Sequence, residues 1–219
     1  GRELVAYTPE KQEIPELPKP AEAIGEPQSI QTNEELYLAG LHIEQYRHAT
    51  YLPDPYYLEG LKRDPGAIRV KNAYGMLLLR RGQFAKAKPY FEKAIERMTR
   101  RNPNPYNSEA YYNLGLAQLY LGEEEEAYDS FFKATWSNEQ QEMAYYYLAV
   151  LDARKNRFVH ALDMIERSLV KNAHSINARA LKVYILRKSG KIEEAKALIV
   201  SNLALDAFDF VSRNEEILL

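Results

Sequence analysis

No cysteine occurs among the 219 residues, which excludes disulfides and thiolate metal sites and leaves the redox compartment unmarked. No apolar run approaches the roughly 20 residues needed to cross a bilayer. The opening residues, Gly-Arg-Glu-Leu-Val, lack both a methionine and the apolar core of a signal peptide, and they read as a tag remnant or part of a longer chain. Strand-like alternation between turn pairs is missing. So are a glycine-rich phosphate loop, a nucleophile–histidine–acid set and an isolated pair of carboxylates. The expectation is a non-catalytic cytoplasmic protein with no cofactor and no metal. A net charge of −2 argues against a nucleic-acid partner.

Tyrosine is abundant, with 17 copies against 7 phenylalanines, and charge is unevenly distributed. Residues 67–101 hold ten Lys or Arg against two acids, 108–135 six acids against one Lys, and 154–205 eleven basic residues against four acids. Each block reads as the solvated outer face of its own segment, although alternating patches could also steer a charged partner. Glu123–Glu126 opens a helix, where acids complement the dipole, and Arg97, Arg100 and Arg101 complement the opposite end of another. Trp136, at a helix end, reads as a packing residue.

Residues 1–32 differ from everything that follows. Pro9, Pro15, Pro18, Pro20 and Pro27, six glutamates and no helical apolar period describe an extended linker or docking segment. Helical signals begin at Thr32-Asn33-Glu34-Glu35, a capping box. From there to Leu205 apolar helical stretches alternate with short breaks, so the fold class is all-α.

Sliding the sequence against itself gives a period of 34. Gly115, Ala149 and Val183 share one phase; Gly122, Asn156 and Gly190 a second; Ala127, Ala161 and Ala195 a third; Phe131, Ile165 and Ile199 a fourth. An earlier copy, Gly75, Gly82, Ala87 and Phe91, is offset by 40 because six residues are inserted near Asn102-Pro-Asn-Pro105. A small residue in the first phase lets one helix approach the next, and glycine in the second permits a left-handed turn. Phe91 and Phe131 are expected to fill the wedge between neighbouring pairs. No pair buries its apolar face alone, so the units stack.

These spacings resemble the tetratricopeptide repeat. Tyr111, Leu114, Gly115, Gly122, Ala127, Phe131 and Ala134 stand at that family's diagnostic positions. The match covers 33–205 as about five helix pairs, 33–65, 67–101, 108–137, 141–172 and 175–205. It is degenerate in the first, where Pro53 replaces an alanine, and departs from the pattern at Lys182 and Asn202 in the last. Phe208, Val211, Ile217 and Leu218 suggest a final amphipathic helix in 206–219, a cap or the start of a further repeat. The resemblance implies a right-handed superhelix with a concave groove lined by the first helix of each pair.

Groove-facing phases give Arg69, Asn72, Met76 and Arg80, then Tyr112, Leu116, Leu119 and Tyr120. Met143, Tyr146, Val150 and Arg154 follow, then Ala180, Tyr184, Arg187 and Lys188. The partner-binding candidates are Arg69, Asn72, Arg80, Tyr112, Tyr120, Tyr146, Arg154, Tyr184, Arg187 and Lys188. Flat aromatics and guanidinium forks suit an extended peptide bearing acids, or a sugar stacked on the rings, and half the tyrosines could equally be packing between helices. Some family members grip a chaperone's terminal carboxylate with Lys and Asn. Asn72 and Asn113 fit that pattern, but Met143 and Tyr147 stand where basic residues would help. His42, Glu44 and His48 miss the i, i+4 spacing of shared metal ligation.

The expected function is a protein- or peptide-binding scaffold, with residues 1–32 as a built-in ligand. Glu44 to Thr50, the Asn-Pro-Asn-Pro loop and Lys133 to Trp136 also resemble the helical region of bacterial multidomain proteins with sugar-enzyme-like β-sandwich domains. That resemblance implies the alternative of an accessory domain in a carbohydrate-active protein.

Overall fold

The computed structural model describes residues 2–11, 20 and 23–219. Among them are eleven α-helices, one short 3-10 turn at Pro27–Ser29 and no strand. The helices are α1 (Asn33–Tyr46), α2 (Asp54–Arg63), α3 (Ile68–Arg80), α4 (Phe84–Thr99), α5 (Glu109–Leu121), α6 (Glu124–Ala134), α7 (Gln141–Arg154), α8 (Phe158–Lys171), α9 (Ile176–Lys188), α10 (Ile192–Leu205) and α11 (Phe210–Ile217). Each helix packs on its neighbour in sequence, and α1 on α3, α3 on α5 and α7 on α9 also touch. The result is an all-α solenoid of stacked helix pairs.

The turn inside each pair follows from one backbone requirement. Gly82, Gly122 and Gly190 have φ of 71°, 81° and 75°, and Asn156, in the same phase, has φ of 57°. Asparagine is the side-chain-bearing residue that tolerates this region best. The Thr32 capping box forms as the sequence predicts, with Thr32 Oγ1 accepting from the Glu35 amide at 3.2 Å and the Glu35 carboxylate accepting from the Thr32 amide at 3.0 Å.

Within a pair, a small residue on the first helix faces a large one on the second. A Cβ on Gly40 would meet Tyr57 at 2.6 Å, one on Gly75 would meet Phe91 at 2.6 Å, and one on Gly115 would meet Phe131 at 2.8 Å. Where the large residue shrinks to Ile165 or Ile199, the small one grows to Ala149 or Val183, and all four are buried. Phe91 and Phe131 therefore fill space inside their own pair. Phe131 also reaches the next pair, stacking on Tyr147 with centroids 4.9 Å apart.

Between pairs, charge sets the register. Arg69 bonds Glu34 at 2.7 Å, Arg81 grips Asp54 through two bonds of 2.6 and 2.9 Å, and Lys88 bonds Glu123 at 2.6 Å. Arg154 bonds Glu124 at 3.0 Å, Lys155 pairs with Glu125, and Lys182 lies 3.2 Å from Glu166. The alternating blocks of the sequence thus meet one another across the stack: the acidic run at 123–126 is held by basic residues of both neighbouring pairs. The Arg81 fork holds the Asp54 carboxyl below its ordinary value.

Both ends depart from the repeat. Residues 23–32 strap across α2, with Ile24 and Ile30 against Leu36, Ile43 and Tyr56. Tyr56 Oη donates to the Gly25 carbonyl at 3.1 Å, and the Arg63 guanidinium donates to the carbonyls of Pro27, Gln28, Ile30 and Gln31 at 2.6–3.3 Å. At the other end α11 packs on α9 and α10. Its buried residues are Ser212 and Glu215, while Phe208, Phe210, Val211, Ile217 and Leu218 are exposed. The apolar residues expected to pack are therefore outside, and a polar latch replaces them. Asn202 accepts from Arg179 at 2.8 Å and donates to Ser212 at 2.9 Å, which explains its departure from the repeat pattern. Trp136 is also exposed, with the Lys133 ammonium 3.7 Å from its ring centroid.

Candidate functional site

A cleft of about 560 Å³ opens between α1, α3 and α5. Tyr37, Leu41 and Glu44 line it from α1, Arg69, Asn72, Ala73, Met76 and Arg80 from α3, and Glu109 and Ala110 from α5. Met98 and Asn107 close one side. The walls combine apolar side chains with a nearly equal share of polar and charged groups.

Those polar groups hold one another in place. The Arg69 guanidinium lies 4.3 Å from the centroid of the Tyr37 ring, and Tyr37 followed by Glu34 raises its affinity for the proton. Glu44 accepts from Tyr57 Oη at 3.0 Å and pairs with Arg80, whose proton affinity burial lowers. Burial also pushes the Tyr57 hydroxyl well above its ordinary value, so it stays a donor. Asn113 Nδ2 donates to Asn72 Oδ1 at 2.9 Å, which fixes Asn72 on the cleft wall. The two asparagines of the clamp pattern thus bond each other.

Of the candidates read from the sequence, Arg69, Asn72 and Arg80 meet in this cleft. The others do not join them. Tyr112, Tyr146 and Tyr184 are half-buried against core clusters. Tyr112 is tilted 51° to Tyr147, and Tyr146 is tilted 77° to the same ring, so Tyr112 and Tyr146 are not coplanar. Burial raises the Tyr112 and Tyr146 hydroxyls above their ordinary value. Tyr120 is exposed but stacks on Phe84 with centroids 4.7 Å apart. Arg154 is held by Glu124, and Lys188 lies exposed 5.9 Å from the Tyr184 ring centroid. Arg187 is engaged at the end of the stack, donating to the two Glu215 oxygens at 2.5 and 3.1 Å. That ion pair places it at the end of the stack, away from the cleft.

The residues missed were those of α1. Tyr37 lies three before Gly40 as Asn72 lies three before Gly75, and Leu41 follows Gly40 as Met76 follows Gly75. Carrying the phase back one more copy would have found them. Residues 2–11 are exposed and belong to no helix, residues 23–32 lie over α2, and neither lines the cleft. Parts of the expected built-in ligand, 12–19 and 21–22, lie outside the described residues.

The stack of helix pairs has the fold of tetratricopeptide-repeat proteins. Residues 66–134, covering α3 to α6, match the family model for the tetratricopeptide repeat. Among solved structures, PilF of Pseudomonas aeruginosa is 17% identical, with a TM-score of 0.75 over 86% of this chain and 82% of that one. The MamA protein is 21% identical, with a TM-score of 0.65 over 80% of this chain and 92% of that one. YrrB, a tetratricopeptide-repeat protein with an unusual peptide-binding site, is 15% identical, with a TM-score of 0.66 over 83% and 90% of the two chains. At these identities the likeness establishes the fold. No helix among the described residues is long and apolar enough to cross a membrane.

Proposed function

We propose that this chain is a non-catalytic interaction scaffold that receives an extended peptide in the cleft between α1, α3 and α5. The observation that carries the reading is the cleft itself: an open trough of mixed polarity whose walls present Arg69, Asn72 and Arg80 already oriented by their neighbours. Preorganised donors bind at low entropic cost, and an extended chain offers carbonyls and carboxylates to match them. A peptide-binding site on a protein of the same fold, YrrB, supports the same reading.

The test is selection of a random dodecapeptide library on the whole chain, followed by titration of the enriched peptides. Leu41 lines the cleft and belongs to none of the packed core clusters, so Leu41→Trp obstructs the trough with little cost to the fold. Selected peptides should bind the variant at least about 10-fold more weakly, a difference of about 1.4 kcal/mol. Equal affinity for both proteins, with matching circular-dichroism melts, would remove the cleft as the binding site.

A further inference from the structure

Beside the cleft lies a second cavity of about 260 Å³, lined by Arg97, Met98, Arg100, Arg101 and Asn102. It sits where the sequence breaks its own period. α4 is the longest helix, and the six inserted residues before α5 turn the chain through Asn102 to Asn107. The loop is tied down: Asn102 Oδ1 accepts from the Asn104 amide at 3.1 Å, Lys133 donates to Asn104 Oδ1 at 2.8 Å, and Ser108 Oγ donates to the Ala134 carbonyl at 2.7 Å. Met98 forms a wall common to both cavities.

Most guanidinium groups among the described residues are engaged: Arg179 and Arg213 donate to neutral oxygens, and Arg63, Arg69, Arg80, Arg81, Arg154, Arg157, Arg167 and Arg187 pair with carboxylates. Arg97, Arg100 and Arg101 pair with none among the described residues, and no side-chain hydrogen bond engages them there. Lys71, on the α3 side of Arg97, is only 9% exposed and equally without a carboxylate partner. Burial lowers its proton affinity, Lys93 and Arg97 lower it further, and Asp64 and Glu96 act in the opposite sense. The end of α4 offers about half a negative charge. That is too little to account for three guanidinium groups.

We infer that this corner is an anion subsite for an acidic stretch of the peptide partner, continuing the cleft past Met98 to Arg97, Arg100 and Arg101. Guanidinium forks take carboxylates through paired hydrogen bonds, and a short run of Asp or Glu side chains matches three forks gathered around one small cavity. The inference rests on the groove reading for the remainder of the ligand, but the subsite is tested by itself.

The probe is fluorescein-labelled hexaglutamate, titrated by anisotropy into the whole chain. The protein carries a net charge of −2, so nonspecific attraction of a polyanion is not expected. Binding should be saturable and weaken as salt rises. It should fall at least 10-fold in Arg100→Gln/Arg101→Gln, whose side chains are exposed and dispensable to the core. Lys171→Gln/Lys196→Gln removes the same charge elsewhere and should change affinity less than 2-fold. Absence of binding by the wild type, equal binding by the Arg100/Arg101 variant, or equal weakening by both variants would overturn the subsite. Leu41→Trp separates the two readings: loss of neutral groove peptides with hexaglutamate retained supports an independent subsite. Groove peptides that bind a chain indifferent to hexaglutamate would overturn the subsite and leave the groove standing.

Discussion

Arg187→Met should lower stability by about 3 kcal/mol, the low end of what breaking a buried ion pair costs. The Arg187 side chain is 17% exposed and that of Glu215 5%. Removing the guanidinium strands a carboxylate between α9 and α11, and the end of the stack can relieve it only by letting α11 swing away. The thermal midpoint should fall, and amide protection should vanish from α11 first. Replacing both partners, Arg187→Met with Glu215→Leu, should recover most of the loss, because an apolar pair of similar volume carries no desolvation penalty. An unchanged midpoint in the single variant would mean that Arg187 is not part of the end latch.

The second large effect concerns the closest approach inside a pair. Gly115→Ala places a Cβ 2.8 Å from the Phe131 ring, which is fully buried and backed by Tyr147. Alanine gains about 1 kcal/mol in helix propensity. Overpacking costs about 1–3 kcal/mol, and with the ring unable to retreat the upper part of that range applies. The net result is a loss of about 1–2 kcal/mol. Phe131→Ile alone leaves a void and is also destabilising. Together the two reproduce the combination already present at Ala149 and Ile165, so their costs should fall short of additivity by about 1 kcal/mol or more in a double-mutant cycle. Strict additivity would show that the two positions do not share the contact.

The axial contacts of the repeat are written in single residues, and so they were legible. A glycine that must turn left-handed, or a methyl that alone fits, recurs every 34 residues and leaves few alternatives. Asn156 shows how far this goes: it breaks the glycine pattern but keeps the backbone requirement, and φ there is positive. The lateral contacts were not legible, because they depend on which residues the stacking brings together. Lys88 and Glu123 look like solvated charges of two different helices until the pairs are docked. The same ambiguity hid the fate of the tyrosines, since residue identity does not say whether a ring lies flat on the groove or edge-on between helices. Arg69, Asn72 and Arg80 could be assigned to one face because the glycine phase of their copy is intact. The α1 wall was missed because the first copy is irregular, with Pro53 and the 47–53 connection disturbing the count.

The two kinds of contact also answer to different surroundings. Glycine–ring and alanine–isoleucine packing inside a pair is indifferent to dissolved ions, whereas the exposed carboxylate–guanidinium and carboxylate–ammonium ties between pairs weaken as salt rises. The joints carry both kinds, since Phe91 packs with Leu114 and Phe131 with Leu148 across them, so salt can loosen the ionic share of a joint while its apolar share holds the stack together.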